Sequence, residues 1–476
     1  MRGMLLSSVL LASSLLGACA TDTDDGDYDM QPSSESEPGV GDGKEDSPAP
    51  GPEVPVAQQS KDIGQFFMVD HYGVTSAGYP AMKKYIRENN LGSIILWNPT
   101  GATGEVVRQM VSTYSAYAAQ YNRDELFYSA DQEELHTQRF KSAQGFTNLT
   151  SGNVLGDSIA KHGTDRMCEL QARITSREMA SVGLNMALGT VSDIYVSDSG
   201  TRGMFATRAI DNDPTVVAGC VTAMEQGYGA EGHVVYITKH FPGLGNASGN
   251  TDVSTNVHTR STTKVAMERE LSPYRQASAD VNATGKWKTF GAMISHASYP
   301  VIDGGANPAT LSPTILSDFM RGPTDEVPFG GKDNANHATS FAGMNFQGLL
   351  VSDAFWTWGA VKGITTIQKQ RLMARSFLAG MDILMISNTD FTGAWGYFQE
   401  IYANLLPAAE RTALMQATGY TSWDALRTDF MARITESAAR IRAVKAQIGK
   451  ATASMGTGPA NRASTALVSE YQTLSH

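Results

Sequence analysis

The sequence predicts a (β/α)8 barrel of the TIM type, an α/β fold that forms a single catalytic domain. Short apolar segments alternate with longer helical segments along most of the chain, which is the pattern of parallel strands connected by helices. Charged or titratable residues directly follow several of the apolar segments, as they do where barrel strands end at a common mouth. The alternative is an open, doubly wound sheet, but no Gly-rich phosphate fingerprint follows the first strand candidate.

The apolar segments define eight strand candidates. They lie at residues 65–69, 93–97, 126–130, 185–188, 234–238, 291–295, 348–352 and 382–386. Helical patterns between them predict helices over residues 105–120, 157–182, 214–228, 263–281, 366–379 and 393–405. A further helix over 423–448 follows the last strand candidate, so we expect it to pack outside the barrel.

Residues 1–18 have the pattern of a signal peptide. Arg2 precedes an apolar run over 5–16 that is too short to span a bilayer. The run ends in Leu16-Gly17-Ala18-Cys19, which resembles a bacterial lipobox, and we therefore expect a lipoprotein in which Cys19 is lipidated. An ordinary secretory signal with a coincidental cysteine is the alternative. Lipidation would hold the chain on a membrane without a transmembrane helix.

The next segment, residues 19–60, is predicted to be a disordered acidic tether. Residues 20–55 contain 11 acidic residues and one lysine, so most of the chain's net charge of −11 lies outside the barrel. The charge therefore says little about an active site, and nothing in it favours a nucleic-acid partner. Residues 61–450 form the barrel domain, and the small, polar residues 451–476 are predicted to be a flexible tail.

These features predict a monomer in the bacterial cell envelope, with its catalytic body in the periplasm or outside the cell. Ala20 after Cys19 favours the outer membrane where one is present. The body contains two cysteines, Cys168 and Cys220. They could pair in an oxidising compartment or remain buried thiols, and the sequence leaves both alternatives open.

The absence of several motifs narrows the possible chemistry. No HExxH motif or paired-cysteine spacing occurs, so the sequence predicts no metal site, and we expect no cofactor. A GxSxG nucleophile elbow is also absent, which counts against a serine hydrolase.

Titratable side chains follow four of the strand candidates. They are Asp131, the pair Lys239 and His240, His296, and Asp353. Because barrel strands end at one mouth, we expect these side chains to lie near one another. Asp353 is the candidate nucleophile, since a carboxylate on a rigid strand end can form a covalent intermediate. The alternative role for Asp353 is that of a helix N-cap.

Several of these segments resemble motifs of glycoside hydrolase family 3, in particular its single-domain β-N-acetylglucosaminidase branch. Residues 239–245, Lys-His-Phe-Pro-Gly-Leu-Gly, resemble the KHFPGHG signature, and residues 131–140 resemble the DQEGG-x-x-QRF segment. Residues 348–355 resemble the segment that carries the family's nucleophile. Residues 207–214 and 293–312 resemble two further motifs, so the resemblance covers nearly the whole body.

The resemblance implies a retaining mechanism in which Asp353 is the nucleophile. It also implies a set of side chains that hold the terminal sugar through its hydroxyl and acetamide groups. These are Asp131, Arg139, Arg208, Lys239 and His240, with His296 as a further pocket residue.

The loop that should carry the acid/base departs from the family pattern. The β-N-acetylglucosaminidase branch uses a His held by an Asp in this loop, and those two positions are Asp252 and Asn250 here. We expect Asp252 to be the acid/base, its pKa raised by a pocket that is poor in water. His258 is one alternative, if the loop is longer than usual, and a loop without any acid/base is the other.

The sequence therefore predicts a retaining exo-glycosidase that acts on terminal β-linked N-acetylglucosamine. Peptidoglycan fragments and chitooligosaccharides are the expected substrates, by resemblance to the family. One alternative is a β-glucosidase of the same family. The other is a catalytically impaired, lipid-anchored protein that binds glycans.

Overall fold

The computed structural model describes residues 58–99, 101–285, 290–305, 307–324, 326–328, 340–452 and 464–475. The predicted signal peptide, Cys19 and all but the last three residues of the predicted tether lie outside this part of the chain. Those three residues, 58–60, belong to helix α1, Gln58–Asp62, so the ordered body begins slightly before the predicted boundary.

Eight parallel strands form a barrel in which neighbouring strands follow one another in the chain. They are β1 Phe67–Tyr72, β2 Ser93–Asn98, β3 Phe127–Asp131, β4 Met186–Val191, β5 Val235–Phe241, β6 Phe290–Ile294, β7 Leu349–Ser352 and β8 Leu384–Ile386. A separate antiparallel pair, Glu326–Pro328 with Ser340–Ala342, lies in the chain between β6 and β7. All eight strand candidates are therefore confirmed, with shifted ends.

The barrel is closed by pairing between its first and last strands. Phe67 of β1 is in register with Leu384 of β8. On the other side of β8, the Ser352 amide donates to the Ile383 carbonyl (2.9 Å), and the Ile383 amide donates to the Leu350 carbonyl (3.0 Å). The predicted (β/α)8 fold is thus confirmed.

Burial explains why the strands were visible in the sequence. Every residue of β3 to β8 is buried, and only the last residues of β1 and β2 reach solvent, at the mouth. Barrel strands contact the interior on one face and the surrounding helices on the other. They therefore consist of continuous apolar runs rather than alternating ones.

Helices surround the barrel and connect its strands. They are α2 Pro80–Asn89, α3 Gly104–Gln120, α4 Gly152–His162, α5 Arg166–Ser181, α6 Arg202–Phe205, α7 Pro214–Glu231, α8 Lys264–Thr284, α9 Pro300–Asp303, α10 Thr366–Ala379, α11 Asn388–Tyr402, α12 Ala408–Thr418, α13 Trp423–Thr452 and α14 Thr465–Leu474. The single helix predicted over 157–182 is wrong, because the chain breaks there into α4 and α5. Gly163 ends α4 in a left-handed conformation (φ 65°), which glycine adopts without steric cost.

Helix α13 packs against α10, α11 and α12, outside the barrel as predicted. Two of its side chains, Ser437 and Arg440, donate to the buried Asp382 carboxylate just before β8, and Arg321 donates to the other oxygen (2.8 Å). Burial raises the pKa of Asp382, but Arg440, Arg321 and Arg433 outweigh it and lower the pKa to about 2. This ionised contact fixes α13 to the closing edge of the barrel.

The predicted flexible tail is wrong for residues 465–474, which form α14. Leu467 and Tyr471 lie four residues apart, so both face the body, and both are buried. The Tyr471 hydroxyl accepts from the Thr150 amide (3.0 Å) and donates to Gln171 Oε1 (2.6 Å). The two buried side chains, together with the ion pair between Glu470 and Arg166 of α5 (2.8 Å), hold this otherwise polar segment on the body.

Cys168 of α5 and Cys220 of α7 form a disulfide bond, with their Cα atoms 5.4 Å apart. Of the two alternatives that the sequence left open, the structure therefore shows the paired one. In the described residues, no helix combines the length and the hydropathy that a membrane span requires.

Candidate active site

A buried network of four charged side chains lies where β3 and β5 reach the barrel mouth. Lys239 Nζ lies 2.7 Å from Asp131 Oδ1 and also contacts Glu133 Oε1. Arg208 donates from Nε and Nη2 to the two oxygens of Glu133, both at 3.0 Å. Two cations therefore compensate two carboxylates in a place that water barely reaches.

These charges keep one another ionised. Burial raises the pKa of Asp131 and Glu133, but attraction to Lys239 and Arg208 outweighs it and leaves both pKa values below their ordinary range. Burial likewise lowers the pKa of Lys239, and the two carboxylates outweigh it in the upward direction. The network is therefore fully charged at neutral pH, and it presents charged groups in fixed positions to a ligand.

Arg139 lies beside this network, next to the end of β2. Its guanidinium carbon is 4.7 Å from the centre of the Trp97 ring, and its Nε is 3.7 Å from Asp131 Oδ2. That Nε is buried and has no hydrogen-bond partner among the described residues. Arg139 is thus held by Trp97 through a cation–π contact, and its side chain, which is 26% exposed, is accessible to a ligand.

His240 is oriented by a carboxylate at the end of the neighbouring strand. Asp193, which follows β4, accepts from the His240 amide at 3.0 Å and lies 2.7 Å from the His240 Nδ1 atom. The other oxygen of Asp193 accepts from the Leu244 amide. Because Nδ1 is engaged, Nε2 is the ring atom left for a ligand.

Asp353 extends β7 into the mouth. Its amide donates to the Ile294 carbonyl of β6 (3.0 Å), which continues the strand pairing, and its Oδ1 accepts from the Ala354 amide (2.8 Å). The carboxylate is half-buried. Because its backbone continues the strand pairing, a rigid strand end positions it, as the sequence predicts.

Asp252 lies close enough to Asp353 for their charges to interact. Burial raises the pKa of Asp252, the negative charge of Asp353 raises it further, and a hydrogen bond with the Thr357 hydroxyl opposes both. The backbone here is tied to the segment after β7. Lys362 Nζ donates to the Asp252 carbonyl (2.8 Å), and the Gly359 amide donates to the Thr251 carbonyl (2.8 Å). A carboxyl group whose pKa is raised by a neighbouring carboxylate is suited to hold and transfer a proton.

His296 is buried under the Asp353 segment. Its Nδ1 lies 2.9 Å from Thr310 Oγ1, and its ring stacks on Trp358 with a centre-to-centre distance of 4.3 Å. Burial lowers the pKa of His296 to about 4, although the charge of Asp353 opposes this, so the ring is neutral at pH 7. Its Nε2 has no hydrogen-bond partner in the part of the chain that the structure describes.

Among the described residues, no hydrogen bond or ion pair joins His258 to Asp353. The His258 side chain is exposed, its Nδ1 lies 3.3 Å from Ser248 Oγ, and it lines a neighbouring cleft. Of the two acid/base candidates, Asp252 is therefore the one whose charge interacts with Asp353.

Sequence reasoning missed two carboxylates of the site, Glu133 and Asp193. Glu133 lies within a recognised motif, but no role was predicted for it, because its partner Arg208 is 75 residues away in the chain. A signal for Asp193 did exist, because residues 191–193 repeat the Val-Ser-Asp tripeptide of residues 351–353 at the end of another buried strand. Among the described residues, no group of three or more His, Cys, Asp and Glu side chains is arranged to hold a metal ion.

The chain matches the model of the glycosyl hydrolase family 3 N terminal domain over residues 59–418. A curated beta-hexosaminidase of Nitrosomonas eutropha is 31% identical over 209 residues, which are 43% of this chain and 54% of that protein. A beta-hexosaminidase of Neisseria meningitidis serogroup C is 24% identical over 340 residues, 71% of this chain and 80% of that protein. The chain spans 54% of the first curated relative and 64% of another, from Aromatoleum aromaticum.

Solved structures share the fold. A family 3 beta-N-acetylglucosaminidase from Paenibacillus sp. superposes with a TM-score of 0.65 at 21% identity, over 88% of this chain and 69% of that one. A beta-N-acetylhexosaminidase from Beutenbergia cavernae superposes with a TM-score of 0.60 at 23% identity, over 82% of this chain and 99% of that one. At these identities the likeness concerns the barrel, and it agrees with the strand order described above.

Proposed function

The chain belongs to glycosyl hydrolase family 3, and on that basis we propose that it is a retaining exo-glycosidase that releases terminal β-linked N-acetylglucosamine. The observation that carries the proposal is the pair of carboxyl groups Asp353 and Asp252. Burial and the charge of Asp353 raise the pKa of Asp252, which favours a proton on Asp252 beside the candidate nucleophile. A retaining glycosidase requires a protonated acid/base beside its carboxylate nucleophile.

Each step of the double displacement then has a residue. The Asp353 carboxylate forms a bond to the anomeric carbon while the bond from that carbon to the leaving oxygen breaks, and Asp252 gives its proton to that oxygen. Asp252, now a carboxylate, takes a proton from water, whose oxygen attacks the anomeric carbon and displaces Asp353. Both residues return to their starting states, and the sugar leaves with its original anomeric configuration.

The charged network at the mouth supports the binding of a terminal sugar. Asp131 has acceptor capacity for neighbouring hydroxyl groups, while Arg139 and the Nε2 atom of His240 remain available to a ligand. Lys239 and Arg208 hold the two network carboxylates in place, which preorganises the acceptors before a sugar arrives. We assign these two cations a positioning role alongside any contact with the sugar.

The choice of N-acetylglucosamine is supported by the names of the relatives. The similar curated proteins are called beta-hexosaminidases, and the Paenibacillus enzyme is called a beta-N-acetylglucosaminidase. The geometry of the charged network alone fits a hexose with or without an acetamide group. Substrate choice therefore needs a direct comparison of the two sugars.

The test compares purified protein on 4-nitrophenyl β-N-acetylglucosaminide and on the matching β-glucoside. We expect turnover of the acetamido sugar and loss of at least about a thousandfold in kcat for Asp353→Asn, as for removal of a nucleophile. Asp252→Ala should retain more activity on this good leaving group than on a disaccharide. Added azide should restore turnover to Asp252→Ala and yield a β-glycosyl azide, because the missing carboxylate leaves room for an anion.

Three results would overturn the proposal. Turnover of the glucoside alone would make the protein a β-glucosidase. Binding of N-acetylglucosamine without turnover of either glycoside, and with affinity unchanged by Asp353→Asn, would make it a glycan-binding protein. An azide product of α configuration would exclude the retaining sequence with Asp353 as nucleophile.

We further propose that the protein acts while anchored to a membrane of the bacterial envelope through a lipid on Cys19. The disulfide between Cys168 and Cys220 supports an oxidising compartment. Labelled palmitate should be incorporated into the full chain and not into Cys19→Ser. Equal labelling of both proteins, or none, would rule out the anchor.

A further inference from the structure

A buried carboxyl group that the mechanism above does not use lies against the base of the loop that carries Asp252. It belongs to Glu270 of helix α8, which is 3% exposed. No ion pair among the described residues includes Glu270, and the cation nearest to it on the same helix, Arg275, pairs with Glu268 instead (2.7 Å). Burying such a group costs free energy, which its hydrogen bonds have to offset.

The loop that carries Asp252 is closed at its base by backbone hydrogen bonds. The Ser248 amide donates to the His258 carbonyl (2.9 Å), and the Arg260 amide donates to the Asn246 carbonyl (2.8 Å). These bonds form a short antiparallel base. Asp252 lies in the part of the chain that projects from this base, so its position depends on how the base is held.

Glu270 joins the two ends of the loop at this base. Its Oε1 atom accepts from the Ser261 hydroxyl, and the Thr259 hydroxyl lies 3.5 Å from the same atom. Ser261 Oγ in turn accepts from the Asn246 side chain (3.1 Å). Because Ser261 donates to Glu270 while it accepts from Asn246, the carboxyl group fixes the direction of that hydroxyl and connects both ends of the loop.

The other oxygen of Glu270 faces the segment that follows His240. A Cβ atom at Gly243 would come within 3.0 Å of Glu270 Oε2, so the backbone passes directly over the carboxyl group. Oε2 is buried and has no hydrogen-bond partner among the described residues. Burial raises the pKa of Glu270 to about 7, and the charge of Asp193 adds to the rise, although the hydrogen bond from Ser261 opposes it. Below that pH the group is mostly neutral and acts as a hydrogen-bond acceptor.

We propose that Glu270 is a positioning residue that sets the place of Asp252 by holding the base of its loop. The inference rests on the proposed function, in which Asp252 gives its proton to the leaving oxygen. The projecting part of the loop is tied to the segment after β7 through Lys362, which donates to the Asp252 carbonyl (2.8 Å). Glu270 supplies the second attachment, at the base. Misplacement of a catalytic group by about 1 Å can cost about a hundredfold in rate, so this attachment affects proton transfer.

The test separates proton transfer from the rest of the reaction by the choice of leaving group. At about pH 6, kcat/KM is measured on 4-nitrophenyl β-N-acetylglucosaminide, whose leaving group needs little protonation, and on N,N′-diacetylchitobiose, whose leaving group needs an acid. The variants are Glu270→Ala, Glu270→Gln, Ser261→Ala and the combination of the two Ala substitutions. Glu268→Ala is the control, since Glu268 lies on the same helix and pairs with Arg275 (2.7 Å).

We expect Glu270→Ala to lower kcat/KM on the disaccharide by about ten- to a hundredfold, and on the aryl glycoside by less than about threefold. Glu270→Gln keeps the acceptor and should restore both values. Ser261→Ala should reproduce the selective loss, and the combined variant should lose little more, because both changes remove the same contact. Amide hydrogen exchange in residues 247–259 should be about tenfold faster in Glu270→Ala, and unchanged in Glu270→Gln and Glu268→Ala.

Equal losses on the two substrates would overturn the inference, because they would show that Glu270 supports the whole body rather than Asp252. A loss in Glu270→Gln as large as that in Glu270→Ala would overturn it too, as would unchanged hydrogen exchange in Glu270→Ala. Failure of the proposed function is a separate result, since it would appear as no turnover of either substrate by the unaltered protein. Hydrogen exchange would still decide whether Glu270 holds the loop.

Discussion

Substitution of Glu133 by Gln tests the buried charge network, because the change removes one charge and almost no volume. Both oxygens of Glu133 accept from Arg208 at 3.0 Å, and Lys239 contacts one of them. Removing one partner of a buried ion pair costs about 3–5 kcal/mol of the free energy of unfolding. Gln keeps one acceptor for Arg208, so we expect the lower end, about 3 kcal/mol.

That loss in the free energy of unfolding corresponds to a fall in the melting temperature. Unfolding entropy is about 2.1 cal/mol/K per residue, so about 0.9 kcal/mol/K applies to a body of this size, and Tm should fall by about 3–4 °C. Differential scanning calorimetry at pH 7 measures it. Because the pKa of Glu133 is lower in the folded protein, its ionised form stabilises the fold above its unfolded pKa of about 4.3. The difference between the two proteins should therefore be full at pH 7 and disappear as the pH falls through the folded pKa.

The neighbouring carboxylate provides a matched control. Glu134 accepts from the amides of His136 (3.1 Å) and Thr137 (2.8 Å), and burial together with the charge of Glu133 raises its pKa. Gln relieves that repulsion but keeps only one of the two acceptors, so Glu134→Gln should lower Tm by less than Glu133→Gln does. Equal losses for the two variants, or no loss for Glu133→Gln, would refute the bidentate pair with Arg208.

Three other predictions concern the acid/base, the C-terminal helix and the disulfide. Because the pKa of Asp252 is raised, kcat/KM on a disaccharide should fall as the pH rises through that raised pKa and Asp252 loses its proton. Asp252→Asn should remove that limb, and a profile unchanged by the substitution would contradict the assignment. Tyr471→Phe removes the hydroxyl bound to Gln171, whose side chain in turn donates to the Glu133 carbonyl after β3. The free energy of unfolding should therefore fall by about 1–2 kcal/mol, and KM should rise. A Tm and a KM equal to those of the wild type would show that α14 does not support the site. Replacing Cys168 and Cys220 by Ala should lower the free energy of unfolding in urea by about 2–4 kcal/mol. Reduction of the disulfide in the unaltered protein should give the same loss. Unchanged unfolding midpoints would show that the bond is absent in solution.

The fold could be predicted from local patterns because each barrel strand is buried on both faces. Residues 127–131 and 349–352 are buried throughout, and each appears in the sequence as a short, mostly apolar run with a carboxylate as its last residue, Asp131, or as the next one, Asp353. The helix break at Gly163 was missed because a single glycine is tolerated inside many helices. Only its left-handed conformation shows that α4 ends there.

The pairing of charges in the site could not be predicted in the same way. Sequence reasoning treated Lys239 and Arg208 as free donors for a sugar, and the structure shows both bound to Glu133. Which carboxylate meets which cation depends on strand register and loop path across more than 70 residues of chain. A carboxylate such as Asp193, which binds two backbone amides and one imidazole, has no periodic signature apart from its strand-end tripeptide.

The most direct test of the account is to trap the glycosyl-enzyme. The protein is incubated with a 5-fluoro N-acetylglucosaminyl fluoride, whose good leaving group allows the first step and whose ring fluorine slows the second. Mass spectrometry of the intact protein and of its peptides then locates the added sugar. We expect one added sugar on the peptide that contains Asp353, and none on Asp353→Asn. An adduct on Asp252, or turnover of the fluoride with no adduct and inverted product, would contradict it.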